Sequence, residues 1–455
     1  MNVRRLQIAP LLVLGIALAV VVAWEDRDPA QVVPPDRREV VFWHFWGGRD
    51  RAVVEDIVAR FNASQDEHFV RAIAMPGNNL DLKFFLSVAG GDPPDLLNQD
   101  DPIVADWALR GVLMPIDELA SEAEQEELRR ELFPAARKLG EYDGRLYALC
   151  NGLDVRVLYY NKTLLDAHGL APPTTWDNLN RINAVISPPD EWNPTRPIGY
   201  LPDPRRLWAW GIVFGGRFYD EADGRVTANQ PPIARALDWM RSFSEQYGAD
   251  RVSAFRTGDQ SLTGASSPLL QGRYAVVMDG QWRVREIMAA AEAARREGEA
   301  VTQYGVTPLP APPGGKENAG WVNGNLFVVP RAANNPEGAW AFMKFWCGLA
   351  GHEAEAARAC VAGGWIPPTR RVTQHPVFQR YLNDNPLFET FVDLAESENQ
   401  VPRPVVPGAA LFDQELVGAA ERAMYRDDAP PSQELLDGVT RRVQQRIEEL
   451  ADEPR

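Results

Sequence analysis

The chain has 455 residues, of which 45% are hydrophobic, and its formal net charge is −16. One hydrophobic core stops growing at roughly 250–300 residues, so this length predicts two cores. Binding to a phosphate backbone requires clustered Lys and Arg, and the excess of acidic residues therefore argues against a nucleic-acid partner.

The N-terminus has the pattern of a targeting segment. Arg4 and Arg5 precede an apolar run from Ile8 to Trp24, and charged residues follow that run directly. A run of about 17 residues is at the lower limit for crossing a bilayer. The pattern predicts export with either a cleaved signal peptide or a retained membrane anchor, and residues 26–38 form a Pro-rich tether. Either alternative places the remainder in the periplasm or at the extracytoplasmic cell surface.

Short β-branched or aromatic runs alternate with helical patterns along the rest of the chain. The predicted strands are Glu39–Trp43, Val155–Tyr160, Arg273–Met278 and Leu326–Val329. The predicted helices are Ala52–Asn62, Gln125–Arg137, Ile233–Gln246 and Pro336–Trp346. This alternation favours α/β lobes with mainly parallel sheets.

Five motifs follow one another between Val40 and Trp346. They are VVFWHFWGG (Val40–Gly48), SVAGGDPPDLLNQDDPIVADWALRGVLMPID (Ser87–Asp117), YDGRLYALCNGLDVRVLYYNKTLLD (Tyr142–Asp166), LQGRYAVVMDGQWRVREI (Leu270–Ile287), and a last one that contains WVNGNLFVVP (Tyr304–Trp346). Their order and spacing resemble the extracellular solute-binding proteins of ABC importers, in the carbohydrate-binding group that includes maltose-binding protein. The resemblance covers nearly all of the chain beyond the N-terminus.

The resemblance implies a periplasmic-binding-protein-like fold, in which two α/β lobes are joined by a hinge and the ligand cleft lies between them. It further implies that the chain crosses between the lobes near Asn151–Val155, near Val301–Tyr304 and near Arg331–Asn335. The expected division is 1–38 for the targeting segment and tether, 39–152 with 304–331 for lobe 1, and 153–303 with 332–455 for lobe 2.

A sugar site needs aromatic planes that stack on C–H faces and polar groups that pair with hydroxyls. The chain has 14 Trp residues, and glycine beside several of them would let both ring and backbone approach a ligand. Core packing is the alternative for each ring, and the helical spacing of Trp340 and Trp346 assigns those two to the core. The aromatic candidates for the site are Trp46 with Gly47, Trp210, Trp282, Trp321 and Trp365.

Polar candidates come partly from the resemblance. It implies ligand-binding carboxylates at Asp100, in a turn after a buried strand, and at Asp154, in the strand that enters the second lobe. Gln99 would add amide hydrogen bonds, and Asn323 would pair with a hydroxyl. Asp154 and Arg156 share one face of an extended strand, so they either face the cleft together or form an ordinary ion pair between lobes.

The sequence indicates no metal, cofactor or catalytic site. Three cysteines lack CxxC spacing and five histidines lack HExxH spacing. Cys347 and Cys360 are either a disulfide or two buried thiols. Asp100 and Asp154 would act as a glycosidase pair only at particular separations, and the chain has no GxSxG, P-loop or GxGxxG motif.

These inferences together predict a monomeric binding protein, not an enzyme, that closes around a sugar or oligosaccharide and delivers it to the permease subunits of an ABC importer. One alternative is a membrane-tethered sensory module with the same fold. A glycoside-acting enzyme is a second alternative, which the sequence favours less. The sequence does not indicate which sugar is bound.

Overall fold

The computed structural model describes residues 32–452 except 76, 78, 101, 102, 194 and 260–265. The strands are β1 Arg38–His44, β2 His68–Ala74, β3 Leu96–Asp100, β4 Leu113–Met114, β5 Glu141–Tyr142, β6 Arg145–Leu146, β7 Ala148–Val155, β8 Val157–Asn161, β9 Tyr219–Asp220, β10 Arg225–Val226, β11 Val276–Asp279, β12 Tyr304–Thr307, β13 Gly320–Pro330 and β14 Gln400–Val401.

The α-helices surround these strands. They are α1 Gly48–Ser64, α2 Leu80–Gly90, α3 Val104–Leu109, α4 Glu122–Glu131, α5 Pro134–Gly140, α6 Lys162–Ala167, α7 Trp176–Ile186, α8 Leu207–Val213, α9 Pro231–Tyr247, α10 Ala249–Asp259, α11 Trp282–Glu297, α12 Pro336–Cys347, α13 Glu353–Gly363, α14 Arg370–Gln374, α15 Pro376–Asp384, α16 Pro386–Ala395, α17 Ala409–Tyr425 and α18 Ser432–Asp452. Short 3-10 helices occur at Ile116–Glu118 and Pro204–Arg206.

The largest sheet has the strand order β14-β13-β3-β1-β2, and β4 and β7 also pair with β13. β1 runs parallel to β2 and β3, whereas β13 runs antiparallel to β3, β4 and β7. The sheet β11-β8-β12 is antiparallel in both of its pairings. The prediction of mainly parallel sheets is therefore wrong. No helix separates β12 from β13. The chain therefore reaches β13 without the helical crossover that usually joins parallel strands.

Two predicted elements are divided in the structure. The predicted strand Val155–Tyr160 is interrupted at Arg156, between β7 and β8. The predicted helix Gln125–Arg137 becomes α4 and α5, because Pro134 disfavours helical geometry in the preceding residue and is itself suited to the first position of a new helix.

Local sequence explains where the helices beside the large sheet begin and which face they bury. In α1 the buried residues Val54, Ile57, Val58 and Phe61 recur at helical spacing, so one face packs against the sheet. At the start of α12 the side chain of Asn335 accepts a hydrogen bond of 3.1 Å from the amide of Gly338, and proline occupies the first helical turn.

Buried apolar side chains form two clusters. The first surrounds β1, β3, β7 and β13, and the second surrounds α8, α9, α17 and α18. Trp340 and Trp346 are 5% and 1% exposed in the first cluster, which confirms their assignment to the core.

The clusters divide the C-terminal part of the chain at a different place from the predicted lobes. Along β13 the cluster changes between Trp321 and Val322, and no change occurs at the predicted crossing near Arg331–Asn335. The buried apolar residues within 339–395 lie in the first cluster and those within 412–443 lie in the second, whereas the prediction places all of 332–455 in lobe 2. The lobe boundaries themselves stay a prediction.

The predicted targeting segment lies outside the described residues. Across the ranges that are described, no helix combines the length and apolar character that membrane crossing requires.

The described ranges also hold no group of three or more His, Cys, Asp or Glu side chains placed to bind a metal ion. Cys150, Cys347 and Cys360 are buried and form no disulfide with one another, so Cys347 and Cys360 are thiols where a disulfide was one alternative.

His44, the last residue of β1, is 1% exposed, and its ring lies 5.4 Å from that of Phe42 and 5.8 Å from that of Trp46. Burial, assisted by Arg51, lowers the pKa of His44 from 6.5 to about 4. The folded protein therefore keeps this ring neutral at pH values where the unfolded chain is protonated. The stability that the neutral His44 ring contributes is complete above pH 6.5 and is lost as the pH falls toward 4.

When the pH is lowered from 7 to 5.5, we expect the free energy of unfolding to fall by about 1 kcal/mol because of this histidine. Urea unfolding of the native protein and of His44→Gln at both pH values would measure it, because the variant lacks this share of the pH dependence. Equal pH dependence in the two proteins would contradict the assignment of a buried neutral ring.

Candidate functional site

The middle of β13 lies between β3 and β7 and brings polar residues of three strands together. In the register, Asn325 lies beside Asp100 of β3 and Gly152 of β7, and Asn323 lies beside Asp154 of β7. Adjacent strands are about 4.8 Å apart and alternate residues share a face. The predicted residues Asp100, Asp154 and Asn323 thus occupy one part of the sheet.

Gln281, the residue before α11, holds the Asp154 carboxylate. Its Nε2 donates to Oδ1 of Asp154 at 2.6 Å and to the carbonyl oxygen of Leu153 at 3.0 Å. Oδ2 of Asp154 accepts no hydrogen bond from the described residues. Burial raises the pKa of Asp154, while the charge of Arg156 and the bond from Gln281 act in the opposite direction.

Arg156 contacts two indole rings. Its Cζ is 4.7 Å from the ring centroid of Trp282 and 4.9 Å from that of Trp321, which are cation–π distances. Its Nη2 donates to Oδ1 of Asn323 at 2.9 Å. The residue is 4% exposed, and burial, reinforced by the charge of Arg206, lowers its pKa to about 10. Arg156 therefore remains a cation at neutral pH.

Two further arginines contact Trp321. Cζ of Arg206 is 5.6 Å from the ring centroid and Cζ of Arg403 is 4.8 Å from it. Arg403 forms an ion pair with Asp413 at 2.7 Å, and Asp413 also accepts a hydrogen bond of 2.8 Å from Nε1 of Trp208. Three guanidinium groups therefore surround one indole ring.

Arg206, Arg403 and Gln281 are not among the residues predicted from the sequence. Arg206 follows an Asp-Pro-Arg segment at 203–205, and Arg403 lies between two prolines. A proline-flanked arginine in a connection is a weak signal, because many surface arginines share it. Gln281 had a stronger signal, since it directly precedes the predicted Trp282.

A second aromatic group combines the predicted Trp46 and Trp365 with the core residue Trp346. The three ring centroids are 5.5–5.7 Å apart and the rings are nearly parallel. Trp46 is 8% exposed, whereas Trp365 is half-buried and lies against Gly152. The adjoining Gly47 is exposed. Trp365 is therefore the ring of this group with the larger accessible surface.

Leu153 of β7 connects the two aromatic groups. Its amide donates to the carbonyl oxygen of Ile366, next to Trp365, at 3.0 Å, and its own carbonyl accepts the bond from Gln281. Leu153 belongs to the first hydrophobic cluster and Trp321 to the second. The site therefore lies where the two clusters meet.

Trp210 and Gln99 are placed differently from the prediction. Trp210 is 0% exposed in the second cluster, donates to the hydroxyl of Tyr200 at 3.0 Å and packs against Trp239, so we correct its assignment from ligand contact to core. The amide of Gln99 donates to Asp81, on the neighbouring helix α2. That donor is thus already engaged by another side chain of the protein.

Residues 56–390 match the family described as bacterial extracellular solute-binding protein. The chain belongs to this family. The match includes every predicted site residue except Trp46 and Gly47. The resemblance that the five motifs indicated is thereby confirmed, and members of this family are binding proteins.

Among curated relatives, a probable ABC transporter-binding protein of Deinococcus radiodurans is 25% identical over 340 residues, which are 69% of this chain and 73% of that protein. A maltooligosaccharide ABC transporter solute-binding lipoprotein of Streptococcus pneumoniae is 25% identical over 272 residues, 58% of each chain. The chain is thus similar to solute-binding components of ABC transporters over more than half of its length.

Solved structures establish the fold. CpMnBP1 with mannotriose bound has a TM-score of 0.73 and 23% identity, covering 89% of this chain and 100% of the other. The cyclic alpha-maltosyl-1,6-maltose binding protein from Arthrobacter globiformis has a TM-score of 0.70 and 20% identity, covering 90% and 99%. The predicted α/β fold of periplasmic binding proteins is confirmed.

Proposed function

We propose that this protein is the solute-binding subunit of an ABC importer and captures a sugar or oligosaccharide outside the cytoplasm. The observation that carries the proposal is the group of Trp282, Asp154, Arg156 and Asn323, which combines an aromatic face with hydrogen-bonding groups where the two hydrophobic clusters meet. The maltooligosaccharide-binding relative and the mannotriose complex support a sugar as the solute.

The chemistry of the group suits a sugar. Trp282 and Trp365 are half-buried indoles, and each can stack on the C–H face of a pyranose ring. Oδ2 of Asp154 can accept a hydroxyl hydrogen bond while Oδ1 stays bound to Gln281. Asp100 lies beside Asn325 at an exposed strand end and extends the polar surface. Two rings and several hydroxyl partners match a ligand of more than one sugar unit.

Capture would occur by closure of the two lobes. Along β13 the cluster changes between Trp321 and Val322, so a few backbone dihedrals there would rotate one cluster relative to the other. A ligand that contacts both sides favours the closed form by its differential affinity for it. The closed, loaded protein would then engage the permease subunits.

The proposed location is the periplasm or the extracytoplasmic cell surface, with the N-terminal segment either cleaved or retained as an anchor. The family description, which is of extracellular proteins, supports this location. We propose that the binding protein acts as a monomer, because one chain contains both sides of the site.

Thermal unfolding with a panel of sugars tests the proposed function. A ligand at 100 times its Kd stabilises the native state by about 2.7 kcal/mol, so a bound sugar should raise Tm by a few degrees. The panel should contain mono- and trisaccharides, both neutral and acidic, with polyamines as a cationic control. A Tm unaffected by every sugar, or raised only by the polyamines, would contradict sugar capture.

A further inference from the structure

Three arginines meet around one indole ring in a protein whose net charge is −16. Arg156, Arg206 and Arg403 have their Cζ atoms 4.9, 5.6 and 4.8 Å from the ring centroid of Trp321. Like charges in a buried, weakly screened setting repel one another and require compensation. The distribution of negative charge near them shows how much compensation the protein itself provides.

Carboxylates among the described residues offset part of the charge of this group. Asp413 neutralises Arg403 at 2.7 Å. The charges of Asp154 and of Asp279 both interact with Arg156 and Arg206, and burial raises the pKa of Asp154 and so favours its uncharged form. Neither carboxylate forms a hydrogen bond with Arg156 or Arg206 among the described residues, so they offset these guanidinium charges only through space.

The next carboxylates outward have arginines of their own. Asp279 accepts from Nε of Arg283 at 3.0 Å, and Asp203 pairs with Arg205 at 2.6 Å. Their Coulomb interactions reach Arg206, but their hydrogen-bonding oxygens are directed to these other arginines. These carboxylates therefore offset part of the charge on Arg206 through space, while their hydrogen bonds go to other arginines.

The same group has more hydrogen-bond donors than acceptors. Among the described residues no partner is found for Nε and Nη1 of Arg156, Nε of Arg206 or Nε1 of Trp321, whereas Oε1 of Gln281 is the acceptor of this group that also lacks one. Arg156 is 4% exposed and Trp321 is 6% exposed, so bulk water has little access to their donors. Buried donors without partners cost free energy, and an acceptor-rich anion would relieve that cost.

We propose that the bound sugar is acidic, and that the carboxylate of a hexuronic acid unit is received by Arg156 and Arg206 beside Trp321. This inference rests on the proposed function and specifies its substrate class. The indole of Trp282, which also contacts Arg156, would stack on the same sugar unit, and Asp154 would accept a hydrogen bond from one of its hydroxyls. The protein's overall negative charge does not attract anions, so the selectivity for the acid comes from these local arginines.

Isothermal titration of the purified protein tests this proposal. The ligands are the trimers of galacturonate, mannuronate and glucuronate, each compared with its own methyl ester, together with neutral maltotriose and mannotriose. Each ester has the shape of its acid but not the charge. We expect at least one acid to bind tenfold or more tightly than its ester, and to bind less tightly as salt is added because the charge pairing is screened.

The outcomes separate the two proposals. If an ester binds as tightly as its acid, or only the neutral trimers bind, the acidic-sugar inference is overturned while sugar capture stands. If no sugar binds at all, both proposals are contradicted.

Variants locate the anion. Arg206→Gln should lower the affinity for the acid at least tenfold and affect the ester less. Arg235→Gln, which removes the same charge from an exposed position on α9, should leave the acid and the ester affinities unchanged. Equal losses for acid and ester in Arg206→Gln would overturn the assignment of this residue. If Arg206→Gln does not fold, the acid and ester comparison in the native protein decides the matter.

Discussion

Replacing Trp321 with alanine should destabilise the protein by about 3–5 kcal/mol, the usual cost of deleting a large aromatic side chain from a core. Trp321 is 6% exposed in the second cluster and contacts three arginines. Its loss would leave a cavity and remove the aromatic face that shields those charges. The midpoint of urea unfolding measures the effect.

Trp282 is the matched comparison, because it contacts the same Arg156 but is half-buried. Trp282→Ala should lose sugar affinity while keeping most of its stability, since stacking contributes about 0.5–1.5 kcal/mol beyond the area buried. Trp321→Phe retains a ring and should recover much of the stability that Trp321→Ala loses. A fully stable Trp321→Ala protein that cannot bind sugar would show that this ring is a ligand contact and not part of the core.

Asp154→Asn should weaken sugar binding about 10- to 100-fold. A charged hydrogen-bond acceptor contributes about 1.5–3 kcal/mol, and asparagine keeps the shape of the side chain while losing the charge. An oxygen at the position of Oδ1 can still accept from Gln281, so the local fold should persist. Titration of the sugar found by thermal unfolding would measure the change in Kd.

Asp223→Asn provides the control for this change, because it removes the same charge from an exposed residue of the β9–β10 hairpin. Its affinity should equal that of the native protein. Unchanged affinity in Asp154→Asn would exclude Asp154 from the ligand contacts. Hydrolysis of a glycoside by the native protein that disappears in Asp154→Asn would instead support an enzyme.

The fold could be predicted to the level of its class because the signals are local and repeated. The run that forms β1, the glycines at the start of α1 and the proline at the start of α12 each specify their own element. Strand direction could not be predicted in the same way. No helix separates β12 from β13, and the position of its partners β3 and β7 is decided by residues more than 150 positions away.

The candidate site was predicted in part. Asp154, Arg156 and Asn323 lie together because one strand pairing joins them, and the motifs containing them were visible in the sequence. Arg206 and Arg403 could not be found, since they reach Trp321 from connections between elements and carry no distinctive spacing. A tryptophan near glycine also does not reveal on which side of a helix it lies, and Trp210 is accordingly core.

Small-angle scattering with and without the bound sugar tests the central claim most directly, which is that ligand is captured by closure of two lobes. The free protein should have the larger radius of gyration, and saturating sugar should reduce it because contacts on both sides of the site favour the closed form. The ligand is the one identified by thermal unfolding, at a concentration at least 100 times its Kd. An unchanged radius of gyration at that saturation would contradict capture by closure.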